Sequence, residues 1–305
     1  MQRRVRVIRE ASLSVARRFK PLARTLGLFF FALLAVGVFL ALIIEISIRS
    51  ASLPMTLDRP PPATPIVTDL RGRTIAVLPT PLARESYPAK LRDMGEWLPA
   101  ATVAIEDARF WKHCGVDFYA AAGAALRNLR NGCVISGAST ITQQVIKIAS
   151  RRDGRTLFGK FHEALAALKL ERNWDKKRVL EGYLNRLDYG NRRIGPEAAA
   201  RAYFGKPASD LSLSEAIFLA GLPQSPARLN PWKNPGAAIA RYRRNVRRLA
   251  EVGLFPPEAA MDSLLKNPPR VGKHEPPSEA PQLLSLHGNV FSPKRNAPAG
   301  SRQDR

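Results

Sequence analysis

Apolar and polar positions follow three different patterns along this chain. From Leu26 to Ile44 nineteen residues run without a charge or a Pro. At about 1.5 Å per residue they rise roughly 28 Å, close to the hydrocarbon thickness of a bilayer. The second pattern is short. "PIVTDLRGRTIAVLP" (65–79) sets two β-prone runs around Arg71-Gly72-Arg73 and predicts a small hairpin. From about Leu91 to Leu265 apolar residues recur at helical spacing. In "LSLSEAIFLAGLP", Ser212 and Glu215 form a capping-box pair, an apolar stretch follows, and Gly221 and Pro223 stop the helix. In "DKKRVLEGYLNRL", Asp175 is a cap, with Val179, Leu180, Tyr183, Leu184 and Leu187 on one face.

The expected fold is mainly α behind a single N-terminal transmembrane helix, with a minor β-hairpin near the start of the folded part. The expected divisions are a basic segment 1–25, an anchor 26–48, a Pro-rich stalk 49–65, a globular domain 66–265 and a loosely ordered tail 266–305 rich in Pro and charge. No internal repeat is visible.

Charge orients the chain. Eight Lys/Arg and one Glu precede the apolar run, so the positive-inside rule puts residues 1–25 in the cytoplasm and the rest on the other side. The apolar run exceeds the 7–15 residues usual in a cleaved signal peptide, so it reads as a retained anchor. The whole chain carries +23, and past Ile48 it still holds 40 basic residues against 23 acidic, or +17. Such basicity suits an anionic partner. On the exported side that is the surface of the cytoplasmic membrane rather than nucleic acid, and neither a nucleic-acid-binding motif nor zinc-finger spacing occurs. Export also permits a Cys114–Cys133 disulfide. Two Cys in an Ala-rich helical stretch read more readily as buried free thiols.

The four His residues show no metal-ligand spacing, and no G-x-S-x-G, P-loop or G-x-G-x-x-G occurs, which argues against a nucleotide cofactor. Ser263-Leu-Leu-Lys266 matches a Ser-x-x-Lys motif without its companion motifs and reads as chance. Acidic residues on helices remain. Glu106 sits in "AATVAIEDARFWKHCG", and Glu163 in "GKFHEALAALKLE" with Lys160 one turn earlier. Each lies among small and apolar residues, as a working base would. Between them lies "GASTITQQ" (137–144), with Lys147 one turn beyond Gln143. A row of hydroxyls and amides followed by a cation suits a pyrophosphate at a helix N-terminus. The alternative is an elaborate N-cap, with Ser139 or Thr140 capping and the Gln pair in solvent.

"AIEDARFWKHCGVDF", "GASTITQQVIK", "KFHEALAALKLE", "VLEGYLNRLDYG" and "AARAYFGKPASDLSLSEAIFLAGLPQSPARLNP", in that order, resemble the motifs of the peptidoglycan glycosyltransferase family (glycosyltransferase family 51) over roughly residues 65–255. That family comprises monofunctional transglycosylases and the transglycosylase domains of class A penicillin-binding proteins. The resemblance implies a lysozyme-like, mostly helical fold with a hydrophobic jaw that dips into the bilayer. It implies polymerisation of lipid II into β-1,4-linked glycan at the outer face of the bacterial cytoplasmic membrane, with release of undecaprenyl pyrophosphate and inversion at the donor carbon. Glu106 matches the family's general base. Glu163 matches the second glutamate, which assists the leaving pyrophosphate directly or through a divalent cation, Mg²⁺ or Mn²⁺. Ser139, Thr140, Gln143, Gln144, Lys147, Lys160 and Asn185 match substrate-binding positions. Partners implied are lipid II, the growing strand and other wall-synthesis or division proteins.

The chain departs from the pattern at Gly159, where the family usually has Arg; Arg155 or Arg152 is the expected substitute. Cys114 inside the first motif is also unusual. "LNRLDYG" and "EAPQLLSL" (279–286) are similar to one branch of the bifunctional proteins, so the chain reads as a monofunctional enzyme of that branch or as the remnant of a longer one. Two other functions compete. A lytic transglycosylase would have no use for a pyrophosphate cradle. A non-catalytic scaffold that binds lipid II would have no need of a base.

Overall fold

A computed structural model describes residues 2–71, 73–78, 84–132, 139–150, 156–251, 253 and 258–275. The side chains of 2–24, 26, 157 and 258–260 are outside the description. The chain divides into two compact units, Met1–Ser52 and Leu53–Arg305.

The first unit is one helix, α1 (Gln2–Ser50). It takes in the basic segment as well as the apolar run. Its stretch Gly27–Ser50, with a mean hydropathy of 2.9, is long and apolar enough to cross a membrane, the one such helix among the described residues. Phe29, Phe31, Leu34 and Val38 are all exposed, so the helix is apolar on every face, as a lipid-facing span is.

The second unit is mostly helical. The expected hairpin is present: β1 (Ile66–Thr68) pairs antiparallel with β2 (Thr74–Val77). A strand of two residues, β3 (Glu85–Ser86), follows. Next come α2 (Trp97–Glu106), α3 (Phe118–Asn131), α4 (Ile141–Ser150), α5 (Leu157–Asn173) and α6 (Lys176–Leu184). β4 (Arg193–Ile194) pairs in parallel with β3, and the Arg193 guanidinium meets the Glu85 carboxylate at 2.7 Å. α7 (Pro196–Phe204), α8 (Leu213–Gly221), α9 (Pro235–Glu251) and α10 (Glu258–Lys266) complete the unit.

The core forms around α8. Ala216 through Gly221 are all buried, so this helix has no solvent face beyond its first turn. It starts at the Ser212/Glu215 capping box. α2 and α9 pack along it, and Gly221 allows the close approach: a Cβ there would lie 2.5 Å from the Asn245 amide of α9. A second layer joins α4 to α5 and α6. Asp175 caps α6 by accepting the Arg178 N–H, and Val179, Leu180, Tyr183, Leu184 and Leu187 are buried as the spacing predicts.

Two segments are more firmly held than their composition suggests. In the Pro-rich stretch Leu57 is buried, and the Thr56 hydroxyl donates to the Ala149 carbonyl at 2.9 Å. The Arg186 guanidinium donates to the carbonyls of Thr56, Leu57 and Arg59. One side chain thus satisfies carbonyls that a single short 3-10 turn, Met55–Leu57, leaves without partners. At the other end, Gly272 and His274 donate their N–H groups to the carbonyls of Tyr203 and Ala202, and the Trp232 indole donates to Gly272 at 2.9 Å. The start of the expected tail is therefore docked on α7.

Candidate active site

The site is built where the C-terminal end of α2 meets the N-terminal ends of α4 and α5. Glu106 is the last residue of α2. The next residue, Asp107, is buried and turns the other way. Its Oδ2 accepts the N–H of Ile141, the first residue of α4, at 3.0 Å, and both its oxygens lie within 3.2 Å of His113 Nε2. The other ring nitrogen of His113 accepts the Gly115 N–H at 3.2 Å, which assigns the proton to Nε2. Gly115 has a φ of +97°, and a Cβ on it would lie 2.7 Å from the Ala167 carbonyl of α5. Only Gly lets this loop close onto α5. A carboxylate at the positive end of α4 and a glycine against α5 thus hold Glu106 beside the two helices that carry the other polar groups.

Below the loop the network continues. Lys176 Nζ meets Glu171 Oε1 at 2.8 Å and lies 4.4 Å from the Phe110 ring centre, and the Thr142 hydroxyl donates to the same Glu171 oxygen. These groups pair with one another and not with the cavity.

α4 begins with a reciprocal cap. The Thr140 hydroxyl accepts the Gln143 N–H at 3.2 Å, and Gln143 Oε1 accepts the Thr140 N–H at 3.0 Å. The Thr140 hydroxyl also donates to Gly115 at 2.6 Å, so this side chain is buried and fully used. The N-cap reading holds for Thr140. The Gln pair is not in solvent, however: Gln143 is buried, and both Gln143 and Gln144 line the cavity.

That cavity, of about 430 Å³, is lined by Glu106, Ser139, Gln143, Gln144, Lys147, Lys160 and Glu163, with Tyr183, Leu187, Pro223 and Gln224 closing its sides. Glu163 is buried, and its Oε2 takes the Lys160 ammonium at 2.7 Å; the same ammonium donates to Ser139 Oγ at 3.0 Å. Glu106 Oε2 accepts from Gln144 Nε2 at 3.2 Å, and Gln144 Oε1 accepts from the Tyr183 hydroxyl at 2.8 Å. Burial, and next the charge of Glu106, push the Tyr183 hydroxyl far above its ordinary value. It stays a donor, and so fixes the Gln144 amide with its nitrogen toward Glu106. On α9, burial lowers the Arg241 guanidinium from its ordinary value while the Glu106 charge works the other way.

Seven of the nine residues expected at the site therefore converge on one cavity. Thr140 and Asn185 do not. Asn185 spends its amide on the Ala89 N–H and carbonyl and on the Glu181 carbonyl, clamping the segment before α2 to α6. Tyr183, Asp107 and His113 belong to the site without being expected there; the adjacency of Asp107 to Glu106 is a local signal, whereas nothing beside Tyr183 or His113 announces their parts. Gly137, Ala138, Arg152, Arg155 and Cys133 lie outside the described residues, and with them the expected Arg substitute and disulfide. Cys114 is exposed rather than buried, on the outer side of the bend that Gly115 presses against α5.

As a metal centre the donor set is poor. Among the described residues no three His, Cys, Asp or Glu side chains cluster, and Glu163 already shares a carboxylate oxygen with Lys160. The side chains present do not fit a cation held by protein alone.

The family model described as Transglycosylase matches residues 71–250. Penicillin-binding protein 1A of Aquifex aeolicus is 39% identical over 206 residues, 68% of this chain and 28% of its own length. Penicillin-binding protein 1A of Neisseria gonorrhoeae is 45% identical over 154 residues, 50% of this chain and 19% of its own. The chain thus spans less than a third of the length of these relatives. The crystal structure of Penicillin-Binding Protein 1A from Haemophilus influenzae aligns with a TM-score of 0.44 at 20% identity, over 77% of this chain and 26% of that one.

Proposed function

The chain belongs to the transglycosylase family, and from that premise we propose that it is a peptidoglycan glycosyltransferase that polymerises lipid II. The observation that carries this reading is the pairing of two glutamates with a cation in one cavity: Glu106 open to it at one side, Glu163 held by Lys160 at the other. A polymerase of a sugar pyrophosphate needs a base for the acceptor hydroxyl and positive charge for the leaving group, and these must lie on either side of the reacting carbon.

In this mechanism Glu106 takes the proton of the acceptor sugar's 4-hydroxyl as that oxygen attacks C1 of the donor. The C1–O bond to the pyrophosphate breaks on the opposite face, and the configuration inverts. The Gln144 amide holds Glu106 through Oε2, leaving Oε1 for the proton. The leaving diphosphate meets Lys160, Lys147, the Ser139 hydroxyl and the Gln143 amide nitrogen, the one Gln143 group that the helix cap does not use. Glu163 orients the Lys160 ammonium. No step is routed through a metal.

A helix such as α1 suits a donor that arrives on a polyprenyl lipid. The basic residues ahead of its apolar stretch put the N-terminus in the cytoplasm and the second unit on the outer face of the cytoplasmic membrane.

The test is the full chain in detergent with labelled lipid II, products separated on a gel, beside Glu106→Gln. A ladder of glycan strands from the parent alone is expected. Lipid II binding without any ladder from the parent would overturn the polymerase reading in favour of a scaffold. Release of fragments from purified sacculi would overturn it in favour of a lytic enzyme.

A further inference from the structure

A second cavity, of about 470 Å³, has a lining of its own. Two stretches of chain contribute to both: Leu187 lines the first and Asp188 the second, and the loop that gives Pro223 and Gln224 to the first gives Pro226 and Ala227 to the second. Three cations surround it, Arg84, Arg192 and Lys233, from three separate segments, against the single carboxylate of Asp188. Among the described residues neither Arg192 nor Lys233 has an ion-pair partner. Trp232, partly buried, also lines the cavity.

The floor of this cavity is constructed. Asn230 is buried; its amide donates to Asn191 Oδ1 at 2.6 Å, and its own oxygen accepts the N–H groups of Trp232 and Lys233 at 3.0 and 3.1 Å. Asn191 donates in turn to the Tyr203 hydroxyl, which donates to the Tyr189 carbonyl. Above this network Asn191 and Arg192 both adopt left-handed backbone, at φ of 49° and 63°. Asn takes that conformation readily and Arg does not. The turn is thus held by its side-chain fastenings, and what it presents to the cavity is a guanidinium.

Resting on the polymerase reading above, we propose that this cavity is a subsite for the free carboxylates of the peptide carried on each disaccharide of the substrate. The first cavity holds two lysines, one of them donating to the Ser139 hydroxyl, which suits a diphosphate. The second draws its three cations from three separate segments, with two Asn amides and a Trp also in the lining. That arrangement suits an extended peptide whose carboxylates are separated, each met by a guanidinium or ammonium. Because the same two stretches of chain line both cavities, the two lie close together, and a peptide attached to a sugar in the first is directed toward the second.

The experiment measures binding, without turnover, of a soluble muramoyl-pentapeptide that lacks lipid and pyrophosphate to the full chain in detergent. Three arms run beside it: the same peptide with its carboxylates amidated, inorganic phosphate, and the double variant Arg192→Ala/Lys233→Ala. Neither side chain has a fastening role in the fold. The expected result is at least a tenfold weaker Kd on amidation in the parent, the same loss in the double variant with the free acid, and no further loss when both are combined. Glu106→Gln should bind as the parent does. Equal affinity for free and amidated peptide, or for parent and double variant, would overturn the subsite. So would phosphate competing as strongly as the peptide, which would mark a general anion sink. A chain that binds the peptide in this pattern but makes no glycan ladder would overturn only the polymerase reading. A polymerase indifferent to the double variant in both Kd and KM would overturn only this one.

Discussion

Glu106 and Asp107 are neighbours in the chain and opposites in the structure. Asp107 has a side chain 5% exposed, and its two oxygens are taken up by His113 and the first N–H of α4. Glu106 has one bond, from Gln144, and an Oε1 that no described group occupies. A second pair of carboxylates sits on α5. Glu171 pairs through Oε1 with Lys176 and Thr142 and does not line the cavity, whereas Glu163 lines it with Oε2 on Lys160. A carboxylate whose oxygens are all engaged fixes a backbone. One left partly engaged is available for chemistry.

The contrast breaks most sharply at Glu106→Gln. In the proposed mechanism this removes the general base, and polymerisation is expected to slow about 1,000-fold, with thermal unfolding unchanged; single-turnover rates and a melting curve on one preparation check both halves. Asp107→Ala should do the reverse in kind. It strands the Ile141 N–H and the His113 Nε2–H, and about 3 kcal/mol of unfolding free energy should be lost, read from denaturant titration. A variant that kept its stability while losing turnover would move Asp107 to the chemical side. Lys160→Met leaves Glu163 buried without its cation and the leaving group without a donor, for a fall of about 100-fold in kcat, some 2.7 kcal/mol. Tyr183→Phe is the finest probe. It frees Gln144 to turn, and a loss of about 1 kcal/mol, roughly fivefold in turnover, is expected. An unchanged rate would mean that Gln144 needs no orienting partner.

Local rules carried much of this structure. The hairpin, the Asp175 cap on α6 and the Ser212/Glu215 box on α8 are each specified within a few residues, and each appears where the pattern puts it. The cavity lining was legible through Glu106, Glu163 and the polar stretch between them. What could not be read locally depends on partners far along the chain. Asn185 is spent on Ala89, 96 positions away, and nothing near Asn185 announces that. The pairing of β3 with β4 involves two residues from each strand, too few for any alternation to show. The Pro-rich stretch looked like a free spacer because its own backbone makes no ladder; Arg186, 127 to 130 positions on, supplies what it lacks. Thr140 was ambiguous between cap and ligand contact, and Gly115, 25 residues earlier, decides it by accepting the hydroxyl.

The reciprocal cap at the start of α4 has a consequence for inhibition. Gln143 starts the helix with its oxygen and faces the cavity with its nitrogen, so the two duties rest on one amide. A compound that drew its affinity from that nitrogen would leave the organism few routes of escape. Replacing Gln143 would release the compound and unfasten the helix together, and a Glu there would restore the cap only by turning a carboxylate toward the diphosphate.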